Sequence, residues 1–158
     1  RHHTILGAAG NDVIPGLGRK DRLVGDDGAD TMNGGADKDR LQGDSGADRL
    51  TGGSEKDVFA YIFVSDSAVG AEDVLTDCGN HDFIDLSVID AKTGEPGNQA
   101  FTLVDAFGGN QGELVVAYHA TGPYAGFTTV RGDVNGDGAA DFVIKISGDV
   151  DKFDNFIF

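Results

Sequence analysis

Aspartate recurs every nine residues through the first third of the chain, at Asp12, Asp21, Asp30, Asp39, Asp48 and Asp57. Carboxylates repeated at a fixed interval suit a hard cation with oxygen ligands, Ca²⁺ above all. Two other positions keep the same period. Gly7, Gly16, Gly25, Gly34, Gly43 and Gly52 open the units, and Ile14, Leu23, Met32, Leu41, Leu50 and Phe59 follow two residues after each Asp. The units read GAAGNDVIP, GLGRKDRLV, GDDGADTMN, GGADKDRLQ, GDSGADRLT and GGSEKDVFA. Upstream the frame puts His3 in the Asp place and Ile5 in the apolar place. The chain thus opens inside a repeat, as a piece of a longer protein would. Downstream it puts Asp66 at position six of YIFVSDSAV.

These carboxylates need elements that bring them together. A glycine-rich half supplies left-handed turn angles, and an x-apolar-x half suits a strand of about three residues. Two units make a coil of 18 residues, and coils stack at about 4.8 Å. Asp12, Asp30, Asp48 and Asp66 then form one column, and Asp21, Asp39 and Asp57 the other. Stacked carboxylates repel unless a cation lies between them. The same residues would also serve as turn formers in a metal-free solenoid. One inward side chain per nine residues is a thin core, however, and metal binding coupled to folding offsets that deficit. Odd units keep glycine at position four (Gly10, Gly28, Gly46), whereas even units carry Arg19, Asp37 and Glu55. A side chain there strains a left-handed turn, which predicts weaker cation sites on the even side.

Other groups offer chemistry as well. Asp133, Asn135, Asp137 and Asp141 place oxygens at alternate positions around Gly136 and Gly138, as in calcium loops, or as in an Asx-rich hairpin turn. The twelfth position is Ile144, not Glu, so this is no EF-hand. Lys20, Lys38 and Lys56 recur at intervals of 18, with Arg22 and Arg40 two residues after the first two. Stacked, they form a cationic ladder suited to an anionic polysaccharide, or simply neutralise nearby acids. His2, His3, His81 and His119 make no HExxH zinc motif, and Cys78-x-x-His81 reads as a packed thiol. No catalytic residue is expected.

Composition excludes several classes. There are 27 acidic and 12 basic residues, for a net charge of −15, which disfavours nucleic acid. The single Cys forbids an internal disulfide. No apolar run reaches the ~20 residues of a membrane helix. The acidity is uneven: residues 7–60 hold 11 acids and 7 bases, and residues 61–158 hold 16 and 4. From residue 61 longer β segments follow: Phe101–Val104, Glu113–Tyr118, Phe127–Arg131, Asp141–Ser147 and Asn155–Phe158. Ala68–Leu75 has room for a short helical turn. The expected fold is all-β, a parallel β-roll (1–69) followed by an antiparallel β cap (70–158), as one continuous module.

The nonapeptide resembles the GGxGxDxUx repeat of RTX proteins. GGSEKDVFAY, Ser65-Asp66-Ser67, DVLTD, DFIDLSVIDA, GNQAF and GDVNGDGAADF resemble, in order, the C-terminal domain of serralysin-type metalloproteases. Cys78 departs from that pattern, where the family usually has Phe. The resemblance implies about five Ca²⁺ in the roll, each between same-side turns. It implies Asp12 and Asp30 with carbonyls of Ala8, Gly10, Gly25 and Asp27, and Asp30 and Asp48 with those of Asp26, Gly28, Gly43 and Ser45. Asp21 and Asp39 would use Gly34 and Ala36; Asp39 and Asp57 would use Gly35, Asp37, Gly52 and Ser54. A fifth pair, Asp48 and Asp66, would use Asp44 and Gly46. The resemblance further implies a secreted, extracellular protein, folding on calcium after type I secretion and stabilising an attached enzyme. Its secretion signal would be the apolar end, Asp154–Phe158. The RTX modules of alginate epimerases carry a similar cationic array.

Overall fold

Each unit folds as its pattern requires, with a turn over the glycine half and a strand over the apolar half. The computed structural model describes residues 2–150 and 152–158. Strands alternate between two sheets. β1 (His3–Leu6), β3 (Asp21–Val24), β5 (Arg40–Gln42) and β7 (Val58–Ala60) build the first. β2 (Val13–Pro15), β4 (Thr31–Gly35) and β6 (Arg49–Gly53) build the second. All neighbours here are parallel, with register offsets of 18 residues, as in Ile14↔Met32↔Leu50 and Ile5↔Leu23↔Leu41. Position-eight side chains therefore stack rung upon rung between the sheets. Leu23, Met32, Leu41, Leu50 and Phe59 are fully buried. The fold is the parallel β-roll that the repeats lead one to expect.

The parallel ladders run on past residue 69. β8 (Val74–Leu75) pairs with β6, and β9 (Phe83–Asp85) with β7. The rungs Leu50↔Leu75 and Phe59↔Ile84 are 25 residues apart rather than 18. The longer coil accommodates a 3-10 turn at Val64–Ser67. No helical turn forms over Ala68–Leu75. Ala68 bridges Phe142, and Val74–Leu75 is strand because Leu75 fills the rung beyond Leu50.

Five more strands complete the chain: β10 (Thr102–Leu103), β11 (Glu113–His119), β12 (Phe127–Asp133), β13 (Phe142–Ser147) and β14 (Phe156–Ile157). Each falls within or overlaps an expected segment. The meander β11–β12–β13 is antiparallel, as expected, but its attachment is parallel: β13 to β8, β14 to β9 and β10 to β11. The cap thus extends both sheets. One hydrophobic cluster runs from Ile14 through Leu75 to Leu114, Phe142 and Phe153. Among the described residues no helix is long and apolar enough to cross a membrane.

Candidate metal centre

The turns stack because of their backbone angles. Positions two and four have positive φ in all six units. In the odd units position four is glycine at φ 114° (Gly10), 140° (Gly28) and 147° (Gly46), an angle that side chains rarely adopt. A Cβ on Gly28 or Gly46 would also strike the carbonyl of the previous coil's position-four glycine. In the even units position four tightens to 87° (Arg19), 75° (Asp37) and 82° (Glu55), nearer the left-handed well. Glycine moves instead to position two, at Gly35 and Gly53, where a Cβ would strike the coil before. Both sides keep one glycine at each close approach between these coils, so the even side shows no looser turn.

These turns build two columns of carboxylates. Asp30 Oδ1 accepts the backbone N–H of Asp12, and Asp48 Oδ1 that of Asp30, each at 2.8 Å. On the other side Asp39 Oδ1 accepts from Asp21 and Asp57 Oδ1 from Asp39, also at 2.8 Å. Oδ1 therefore holds coil to coil. Oδ2 does not. The Oδ2 atoms of Asp12, Asp21, Asp30, Asp39 and Asp48 are buried and have no hydrogen-bond partner. A buried, unpaired carboxylate oxygen is costly, and here five are stacked in two rows.

Backbone oxygens converge on the same places. A Cβ built on Gly7 would lie 2.7 Å from the Gly25 carbonyl oxygen and 3.0 Å from Asp12 Oδ2. On Gly34 it would lie 2.5 Å from Asp39 Oδ2 and 2.7 Å from the Gly52 carbonyl. On Gly25 it would meet Asp30 Oδ2 and the Gly43 carbonyl. Other expected carbonyl donors already accept one ladder bond: Asp27 and Ser45 take the N–H of Gly10 and Gly28. Each retains a second lone pair. Among the described residues no three His, Cys, Asp or Glu side chains gather to hold a metal by themselves. The set is instead paired carboxylates plus carbonyls, all hard oxygen, and it fits Ca²⁺.

Asp66 does not take the coil-to-coil bonding place of the column, although its carboxylate lies near enough to act on Asp44 and Asp48. Its Oδ2 accepts the N–H groups of Ile62 (2.8 Å) and Phe63 (2.9 Å) and fastens the 3-10 turn. The column places fall to residues the nonapeptide frame missed. Asp73 Oδ1 accepts from Asp48 N at 2.9 Å, and Asp82 Oδ1 from Asp57 N at 3.0 Å. The signal was available: Asp73-Val-Leu75 and Asp82-Phe-Ile84 keep the Asp-x-apolar core of the unit, nine residues apart.

The Asp133–Asp141 loop is of another kind. Asp133 accepts the N–H of Gly136 (2.6 Å) and Gly138 (2.8 Å). Asp141 accepts from Val134 N and Asn135 Nδ2, Asn135 Oδ1 from Asp137 N, and Asp137 Oδ1 from Ala139 N. None of their side-chain oxygens is both buried and unpaired. The loop forms an Asx-rich turn between β12 and β13, whose carboxylates lack the buried, unpaired oxygens of the columns. Cys78 is buried, and burial pushes its thiol pKa up, which suits packing rather than nucleophilic attack.

The cationic ladder is only partly free. Arg22 and Arg40 stand in register, but Arg22 donates to Gln42 at 2.9 Å and Arg40 to Asp85 at 2.8 Å. Among the described residues Lys20, Lys38 and Lys56 have no carboxylate in ion-pair range. The Lys56 ammonium sits 4.0 Å over the Phe83 ring, in a groove also lined by Lys38, Glu55, Asn80, His81 and Asn155.

The columns carry a pH signature. Burial, reinforced by neighbouring carboxylates, raises Asp48 and Asp57 from 3.8 to about 6. Asp30 and Asp39 shift upward for the same cause. A folded-state pKa above the unfolded one means that the folded form binds more protons. Without calcium, the roll should be most stable below about pH 4 and lose that stability as pH rises through about 6. With calcium the trend reverses, because protons and the ion compete for Oδ2. Thermal melts at pH 4.5, 6 and 8, with chelator and with calcium, should show opposite slopes.

The sequence family described as Peptidase M10 serralysin C terminal matches residues 3–158. Among solved structures, the AlgE6R2 subunit of the mannuronan C5-epimerase of Azotobacter vinelandii superposes with a TM-score of 0.72 at 23% identity, covering 98% of this chain and 91% of that one. The AlgE6R3 subunit of the same enzyme gives 0.64 at 22% identity, covering 96% and 80%. At these identities the likeness is one of fold.

Proposed function

Because the chain belongs to the Peptidase M10 serralysin C-terminal family, we propose that it is a calcium-binding module that folds when the ion becomes available outside the cell and stabilises a protein attached to it. One observation carries this reading: five buried, unpaired Oδ2 atoms standing in two rows, Asp12–Asp30–Asp48 and Asp21–Asp39. Asp57 continues the second row. Bound Ca²⁺ would supply the positive charge and open coordination that these oxygens lack. The chain's own residues do the rest. Oδ1 fixes each carboxylate to the coil before it, the position-one glycine leaves room beside Oδ2, and the apolar rungs close the roll. Where calcium is scarce, as in a cytosol, stacked carboxylates repel and the thin core cannot hold the coils. Such a chain stays unfolded for export through a type I secretion system. Mass action then makes folding graded in calcium concentration.

Far-UV circular dichroism tests this reading. We expect little β signal in EGTA and a cooperative gain on adding millimolar calcium but not magnesium. A full β spectrum in EGTA at pH 7.5 would defeat it.

The Lys38–Lys56–Phe83 groove favours a second reading, in which the module also holds an anionic polysaccharide. Lys38 and Lys56, against the single acid Glu55, would attract such a ligand to this groove. Titration of the calcium-loaded protein with alginate should shift the Lys38, Lys56 and Phe83 resonances; unmoved resonances would remove this reading.

A further inference from the structure

Two Asn-Gly steps occur in the chain, Asn33–Gly34 and Asn135–Gly136, and the fold treats them differently. An asparagine before glycine can close a five-membered imide, because glycine has no Cβ to hinder its own nitrogen. Asn33 lies inside β4, opposite Thr51, and its carbonyl accepts Gly16 N at 2.7 Å. That ladder keeps the backbone extended, which holds the side chain away from the following nitrogen. Asn135 lies exposed in the turn between β12 and β13. Its Oδ1 accepts Asp137 N at 2.8 Å, an Asx turn that folds the side chain back over its own C-terminal peptide. The nitrogen of that peptide, Gly136 N, donates to Asp133 Oδ1 at 2.6 Å. Asp133 is fully buried, and its Oδ2 accepts Gly138 N at 2.8 Å, so the carboxylate is held in place. Asn135 Nδ2 donates to Asp141 Oδ1 at 2.6 Å. The nucleophile, the carbonyl oxygen and the leaving nitrogen of one imide-forming reaction thus each have a fixed partner.

We propose that Asn135–Gly136 is a self-modification site, at which the chain converts its own asparagine to aspartate and isoaspartate with Asp133 as the base. Asp133 Oδ1 takes the Gly136 amide proton, and the electron pair left on that nitrogen bonds to Asn135 Cγ. The Asp137 N–H faces the negative charge that gathers on Asn135 Oδ1, as oxyanion donors do. The Cγ–Nδ2 bond then breaks, the proton passes from Asp133 to Nδ2, and ammonia leaves behind a succinimide. Water, which reaches this exposed turn, opens the ring at either carbonyl and is the only other reactant. The products change the turn. Aspartate at 135 sets a second carboxylate against Asp141 where a hydrogen bond stood. Isoaspartate adds a methylene to the backbone and shifts the Asn135 carbonyl, which accepts Gln111 Nε2 at 3.3 Å and so ties the turn to the loop before β11. The tip of the β12–β13 hairpin therefore alters as the protein ages. This chemistry does not rest on the calcium reading of the columns.

Tryptic mapping by mass spectrometry, on the whole folded chain incubated at pH 7.5, tests the proposal. Cleavage after Arg131 and Lys145 isolates Asn135, and cleavage after Arg22 and Lys38 isolates Asn33. The first fragment should gain one mass unit with time and yield an isoaspartate isomer, while the second stays unchanged. Unfolding the wild type in guanidinium chloride should slow conversion at Asn135 by at least about tenfold and bring it level with Asn33. Folded Asp133→Asn should lose at least as much. An unchanged Asn135 in the folded chain, or one that converts as fast when unfolded, would overturn the proposal. So would a folded Asp133→Asn that converts at the wild-type rate. Should Asp133→Asn fail to fold, the comparison of folded with unfolded wild type decides.

Discussion

Asp30→Ala should raise the calcium concentration needed for folding by at least about tenfold, because on the proposed reading one side chain serves two neighbouring sites as well as a coil-to-coil bond. Its Oδ1 holds Asp12 N–H at 2.8 Å, and a lost hydrogen bond to a charged acceptor costs about 1.5–3 kcal/mol. Its Oδ2 is a buried oxygen of the odd row, shared by the pairs with Asp12 and Asp48. The variant also removes a repelling charge, so the calcium-free chain should be no less ordered than the wild type. Asp39→Ala should behave alike, within about threefold, since its bond lengths and unpaired oxygen match those of Asp30. A much smaller effect at Asp39 would restore the weaker even side that Arg19, Asp37 and Glu55 suggest from sequence. Calcium titrations followed by circular dichroism read both.

Gly46→Ala should prevent the roll from forming at any calcium concentration. Gly46 has φ 147°, and its Cβ would overlap the Gly28 carbonyl oxygen. Strain at such an angle costs about 1–3 kcal/mol, and the overlap forces two coils apart in addition. The obstacle is backbone, which cannot swing aside as a side chain end can. Gly70→Ala is the control. Gly70 also has positive φ, at 93°, but a Cβ there meets nothing within 4 Å. It should cost about 1 kcal/mol and leave the calcium midpoint nearly unchanged. Equal effects at the two positions would mean that close coil stacking is not what requires glycine.

The first six units were legible because a coil must satisfy several physical demands at one spacing. Asp12 to Asp57, the position-one glycines and the apolar rungs all obey it, and the structure stacks them in register. The glycine exchange between positions two and four was harder to read. Arg19, Asp37 and Glu55 look like faults until Gly35 and Gly53 are seen to meet the same close approach one turn earlier. The fourth coil was harder to read because of an insertion. Asp66 keeps the count of nine, but the chain spends the intervening residues on a 3-10 turn, and the column resumes at Asp73 and Asp82. The Asp133–Asp141 loop shows the opposite limit. Its spacing is that of a calcium loop and equally that of an Asx-rich turn, and the spacing does not show which N–H groups its oxygens accept. The cap strands were legible as segments, whereas their parallel junctions with β8 and β9 depend on contacts distant in sequence.

The most direct measurement is long-wavelength anomalous diffraction from crystals grown with calcium. The account predicts two rows of anomalous peaks, spaced by about one strand separation of 4.8 Å, each within bonding range of Oδ2 atoms along Asp12–Asp30–Asp48 and Asp21–Asp39–Asp57. Well-ordered crystals with no peaks along these rows, or with calcium at the Asp133–Asp141 loop instead, would contradict it.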